Sequence, residues 1–142
     1  MIGTWASLAL FTVVAVPNAL GLHALDTTTT AVSLLLFAAA LVVWLYAFGI
    51  AVARSARGDD IVVSSWVFLT GSAPPEVRRH FFGATAASIV VGLATASANP
   101  FGVLVPMLPL GLAALWGARH GTFPPRAPRA TGSARLARGG RR

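Results

Sequence analysis

The sequence predicts an all-α protein: a four-helix transmembrane bundle built as two hairpins, with an interfacial segment and a disordered basic carboxy-terminal tail. Three observations predict it. Across residues 2–53 and 81–118 the only ionisable side chains are His23, Asp26 and Tyr46. All eleven basic residues are arginines, and they stand at Arg54, Arg57, Arg78, Arg79 or from Arg119 onward. Apolar residues make up 56% of the 142 and charged residues 11%, against about 25% charged in soluble domains. That leaves too little polar surface to cover a soluble fold. Long uncharged apolar runs separated by arginine-rich stretches describe an integral membrane protein with a readable orientation.

The expected spans are 2–22, 31–53, 81–98 and 101–118, each close to the roughly 17–25 residues a membrane helix needs. The first carries Pro17 and Asn18 near its end. The hydroxyls at 27–30, following Asp26, suit the cap of the second helix. Pro75 suits the first turn of a helix, with Glu76 favourable beside it, so the third helix is expected to begin in water and enter the bilayer near Phe81. Asn99-Pro100 reads as the break between spans three and four. Pro106 and Pro109 predict a kinked or irregular start to the fourth.

Residues 61–69 are apolar but too short to cross, and they are expected to lie at the headgroups with Trp66 as anchor; a re-entrant piece packed on the bundle is the alternative. Trp5, Trp44, Tyr46 and Trp116 are likewise expected mostly at headgroup level. From Gly121 the chain is rich in Pro, Gly, Ala and Arg, and 121–142 is expected to be disordered, leaving 1–120 as the membrane domain.

With four spans, the amino terminus, the 54–80 loop and the tail share one side, which then holds all eleven arginines. The positive-inside rule puts that side, and both termini, in the cytoplasm. The expected location is the cytoplasmic (inner) membrane. A cleaved signal peptide would require a basic start, which Met1-Ile2-Gly3-Thr4 does not provide.

Chemistry-bearing signals are sparse. There are no cysteines, which excludes disulfides and thiolate chemistry. No nucleophile–base pair, phosphate-binding glycine loop or embedded carboxylate is recognisable, so no enzyme, cofactor or metal is expected. The deep polar residues Asn18, Thr12, Ser33, Thr85, Ser88 and Thr95 suit interhelical hydrogen bonds better than a pathway. Ala84, Ser88, Gly92 and Ala96 repeat every fourth residue and predict a close helix contact, within the bundle or with a second chain. His80 and His120, with Asp59 and Asp60, cluster at the boundary without a metal-ligand spacing. Arg119, Arg126, Arg129, Arg135, Arg138, Arg141 and Arg142 are expected to contact anionic lipid headgroups; nucleic acid is disfavoured because Phe123 is the only aromatic residue among them.

Phe101-Gly102-Val103-Leu104-Val105-Pro106, the stretch from Leu115-Trp116-Gly117 through Pro124-Pro125-Arg126, and Leu69-Thr70-Gly71-Ser72-Ala73-Pro74 ahead of Arg78-Arg79-His80 resemble small uncharacterised integral membrane proteins of actinobacteria. The resemblance implies a cytoplasmic membrane location and no activity. Small multidrug transporters also have four short spans, but their embedded glutamate has no counterpart here. The functional expectation is a non-enzymatic accessory or scaffold subunit of a membrane assembly, meeting a partner or a second copy through the third span. The alternative is a small oligomeric channel or uncoupled transporter, suggested by the proline-broken helices.

Overall fold

A computed structural model describes residues 2–126, and among them every regular element is helical. Helix α1 (Ile2–Ala19) ends in a Schellman turn. Gly21 takes the left-handed conformation at φ 103°, Leu22 N–H donates to the Pro17 carbonyl, and Gly21 N–H donates to that of Asn18. Glycine has no Cβ to oppose that geometry. After a 3₁₀ turn (His23–Leu25), α2 (Asp26–Ala56) runs for 31 residues. At 1.5 Å per residue it measures about 46 Å, well beyond the roughly 30 Å of a hydrocarbon core.

Helix α2 starts earlier than expected and is not capped by the 27–30 hydroxyls. Its N-cap is Leu25, which makes no side-chain cap bond. Thr29 instead donates from Oγ1 to the Val14 carbonyl, 3.2 Å away on α1. A β-branched hydroxyl buried between two helices satisfies itself on the neighbour because no water reaches it.

Residues 61–69 pack on the bundle with Trp66 turned inward and Val62, Val63 and Phe68 exposed. They form a one-turn helix, α3 (Val63–Trp66), folded back so that Trp66, Val67 and Leu69 are 9%, 5% and 0% exposed. The segment is packed against the other helices. The reason is the indole: Trp66 Nε1–H donates to the Ala114 carbonyl at 2.9 Å, and that partner lies inside the bundle.

Pro75 opens α4 (Pro75–Ala94), with Glu76 in its first turn. Asn99 then caps a 3₁₀ turn (Pro100–Leu104) by accepting from Phe101 N–H at 3.2 Å. Pro106 is the N-cap of α5 (Met107–His120) and Pro109 lies in its first turn. There the missing N–H costs no helical bond, so the prolines shape the helix start without breaking its interior.

Three stretches are long and apolar enough to cross a membrane: Ile2–Ala19, His23–Ala56 and Pro100–His120. Helix α4 falls short because its first turns hold Arg78, Arg79 and His80. The most extensive packing is α2 against α5, and α1 packs on α2, α4 and α5. Three apolar clusters stack along the bundle: one around Phe11, Leu36, Val105 and Leu108; one around Ala47, Ala51, Trp66 and Ala114; one around Leu69, Val77, Phe81 and Ala113. Outward, α2 exposes Leu34, Leu35, Leu41, Val42, Leu45, Phe48 and Val52. An apolar exterior of this kind over a small-residue interior is what a hydrocarbon solvent selects.

Candidate functional site

Two polar constellations stand out, one at each end of the bundle. At the arginine end Arg54, in the last turn of α2, is the hub. Its Nε donates to Asp59 Oδ2 at 2.7 Å, and its Nη1 donates to the carbonyls of Ala118 and Gly121 at 3.1 and 3.0 Å. The carbonyls at the end of α5 lack intrahelical partners and carry the negative end of its dipole. A guanidinium therefore satisfies α5 and, through Asp59, the turn after α2. Its carbon also lies 4.8 Å from the centroid of the Phe123 ring.

This arrangement orders part of the expected tail. Residues 121–126 run extended beside the connections on either side of α3: Asp60 N–H donates to the Pro124 carbonyl, Arg126 N–H to that of Gly58, and Thr122 N–H to that of Ser72. Arg126 adds a side-chain bond from Nη2 to Ser55 Oγ at 2.6 Å. A segment of Pro and Gly lowers the entropy cost of docking at its prolines, and the Arg54 hub supplies the contacts. Arg129, Arg135, Arg138, Arg141 and Arg142 lie outside the described residues.

Arg119 is exposed but held by a neighbour on α2. Its Nη2 donates to Tyr46 Oη at 2.8 Å, with the guanidinium 5.2 Å from the ring centroid. His120 stacks on Trp116, centroids 5.4 Å apart. His80 and Asp60 are exposed, and Asp59 is engaged with Arg54. Among the described residues no three of His, Asp and Glu converge on one point.

At the other end Asn99 is the hub. It is 2% exposed, and its Nδ2 donates to Ser33 Oγ at 2.9 Å and to the Thr29 carbonyl at 3.4 Å, while Oδ1 receives Phe101 N–H. Four polar groups from α2 and the loop after α4 thus close one network. Asn18 is 1% exposed, and neither polar atom of its side chain has a partner among the described residues. It lies one helical turn beyond Val14, whose carbonyl receives the Thr29 hydroxyl.

The hydroxyls of Thr12, Ser33, Thr85, Ser88 and Thr95, expected to bond between helices, each donate instead to the carbonyl four residues back, which is the nearest acceptor on a helix. Ala84, Ser88 and Gly92 are buried, while Ala96 is half-buried. A Cβ on Gly92 would sit 2.8 Å from the Gly102 carbonyl oxygen, so α4 and the Pro100–Leu104 turn touch backbone to backbone. A second small-residue stripe, Gly111, Ala114, Gly117 and Ala118 on α5, receives Trp44 and Trp66. A Cβ on Gly111 would lie 2.8 Å from Trp44 Cδ1, and one on Gly117 would overlap the Trp66 carbonyl. Trp44 Nε1–H donates to the Met107 carbonyl at 3.1 Å. These two tryptophans are wedged between helices.

Sequence reasoning passed over Arg54, Asn99 and the α5 stripe. Two signals were there to find them: Asn directly before Pro is a helix-start signature, and Gly111, Ala114 and Ala118 are small residues at the three- and four-residue spacing that puts them on one helix face. Compared with protein-family models, curated proteins and solved structures, the chain matches none of them.

Proposed function

We propose that this chain is a four-span protein of the cytoplasmic membrane, both termini inside, acting as a non-enzymatic accessory or scaffold subunit of a membrane assembly. The observation that carries the reading is how its interior polar groups are used. Five buried or half-buried hydroxyls return to their own helices, and Asn99 closes a network within the bundle. The hydroxyls are satisfied within their own helices, while the Asn99 bonds tie the loop after α4 to α2, each such interhelical bond contributing about 0.6–2 kcal/mol; among the described residues no three of His, Asp and Glu converge to grip a reactant. What the fold offers the outside is an apolar belt and an arginine-rich end. In this reading Phe81 to Ala94, with the turn that follows, completes the fourth crossing beside α1 and α5.

Topology is tested with reporter fusions. Fusions after Arg57 and Arg142 should report inside and one within 27–30 outside; an inside signal from the last would overturn the span assignment. The scaffold role is tested by crosslinking in native membranes and identifying the chains that co-purify. Recovery only as a free monomer would overturn it.

Asn18 favours a second reading, a small oligomeric channel. A buried amide with no partner, beside a proline that frees a backbone carbonyl, is the kind of group that lines polar pathways. Solute flux through protein reconstituted in liposomes, compared with a Pro106→Ala, Pro109→Ala double variant and with Asn18→Leu, separates the readings. Flux that the variants abolish supports a channel, and no flux leaves the scaffold.

A further inference from the structure

At the arginine end an open-sided groove of about 200 Å³ separates α1, α4 and α5. Gly3, Phe81, Leu112, Leu115 and Trp116 line its apolar part, and Arg119 and His120, the last two residues of α5, line the rest. We propose that this groove binds one anionic phospholipid, an acyl chain lying along Phe81, Leu112 and Leu115 with the headgroup phosphate held at Arg119 and His120. The inference rests on the membrane reading above and assigns a ligand to one part of that surface.

The size argues for a chain. Pockets for drug-sized molecules begin near 300 Å³ and enclose most of their ligand; this groove is smaller and open along its side. In a bilayer an open apolar groove is filled by hydrocarbon whichever lipid supplies it, so selection falls to the polar end. There the charge is one-signed, because no acidic residue lines the groove. A helix carboxy terminus ordinarily repels an anion, but Arg54 occupies the Ala118 and Gly121 carbonyls and offsets that field.

Arg119 and His120 are both also held in place. Tyr46 takes one N–H of Arg119 and supports the guanidinium from its ring face. That leaves four of its five N–H donors in the planar fork that suits phosphate oxygens. Stacking on Trp116 fixes the His120 ring. A side chain at position 3 has room to enter the groove without breaking the helix, since a Cβ there would meet only Leu112 Cδ1 at 3.6 Å.

The test uses the full chain in nanodiscs of equal parts phosphatidylcholine and phosphatidylglycerol, extracted into mild detergent, with retained lipid identified by native mass spectrometry. The native protein should retain phosphatidylglycerol over phosphatidylcholine by about fivefold, the effect of one arginine near a headgroup. The Arg119→Gln, His120→Gln variant should lose that preference. Gly3→Phe, with Arg119 and His120 intact, should lose the retained lipid itself. Arg57→Gln, a charge on the same end but outside the groove, should change neither, and each variant's helicity is checked by circular dichroism. Equal retention by native protein and Arg119→Gln, His120→Gln would overturn the proposal. So would displacement of phosphatidylglycerol by excess inorganic phosphate, which would mark an anion site without a chain. A protein that never enters the nanodisc would instead refute the membrane reading, so the two failures are distinguishable.

Discussion

Arg54 and Phe123 stand face to face, guanidinium carbon 4.8 Å from ring centroid, although 69 positions separate them in the chain. The pair ties the end of α2 to the strand-like segment that follows α5. It is one of four contacts from one side chain, the others being Asp59 and the carbonyls of Ala118 and Gly121. Replacing Arg54 with Gln should therefore release 121–126. Charge-assisted bonds in a half-buried setting, discounted for solvent screening, contribute about 2 kcal/mol here, or roughly thirtyfold in opening. Hydrogen exchange at the Asp60 and Arg126 amides should accelerate accordingly, as should tryptic cleavage after Arg126. Arg54→Lys keeps the ion pair but not the fork and should fall between the two.

Gly117 and Gly49 should respond in opposite directions. The Trp66 backbone lies against Gly117, whereas nothing lies within 4 Å of a Cβ on Gly49. Gly117→Val should expel the α3 turn and shift Trp66 emission to the red. Gly49→Ala removes a flexible residue from the interior of α2 and should stabilise by about 0.5–1 kcal/mol. Thermal unfolding in detergent checks both, and an unchanged melting curve for Gly117→Val would refute the packing described.

Gly92→Leu should separate α4 from the Pro100–Leu104 turn, because its Cβ alone would meet the Gly102 carbonyl oxygen at 2.8 Å. Loss of the monodisperse species on size exclusion is the expected result. Unchanged assembly would count against the close contact.

Asn99 and Ser33 should be energetically coupled. A double-mutant cycle with Asn99→Ala and Ser33→Ala is expected to give about 0.6 kcal/mol and no more than roughly 1.7, the span measured for buried polar pairs in membrane proteins. Additive single effects would mean that the 2.9 Å bond contributes nothing to stability.

Asn18→Leu should raise stability. A buried amide without a partner costs about 1–3 kcal/mol, and leucine removes that cost at similar volume. A fall in the unfolding midpoint would show that Asn18 has a partner in the native membrane.

The helical class, the position of Pro75 at the start of α4 and the irregular approach to α5 were legible because each depends on local chemistry: apolar length, a missing N–H, a fixed φ. The wedge role of Trp66 was not. Nine apolar residues read the same at a headgroup as in a cleft between helices, and only the distant Ala114 carbonyl distinguishes them. Arg54 was visible as a topological charge, yet its partners at Asp59, Ala118 and Gly121 are brought together by α2 lying beside α5. The same is true of Asn99, whose neighbour in sequence announces a turn while its hydrogen bonds go to α2. Leu69 is a further case: its positive φ of 54° is not written in a leucine, and its complete burial supplies the packing that holds it there.

The two ways in which polar groups are satisfied here impose an order on biogenesis. A hydroxyl bonded to its own helix is complete as soon as that helix forms, so Ser88 and Thr85 on α4 need no neighbour to be satisfied. Asn99 is different, because both acceptors of its amide belong to α2. The second half of the chain thus leaves the insertion machinery one polar group short until it meets the first. Expressed without residues 1–56, it should stall or be degraded, and co-expression of that fragment in trans should rescue it.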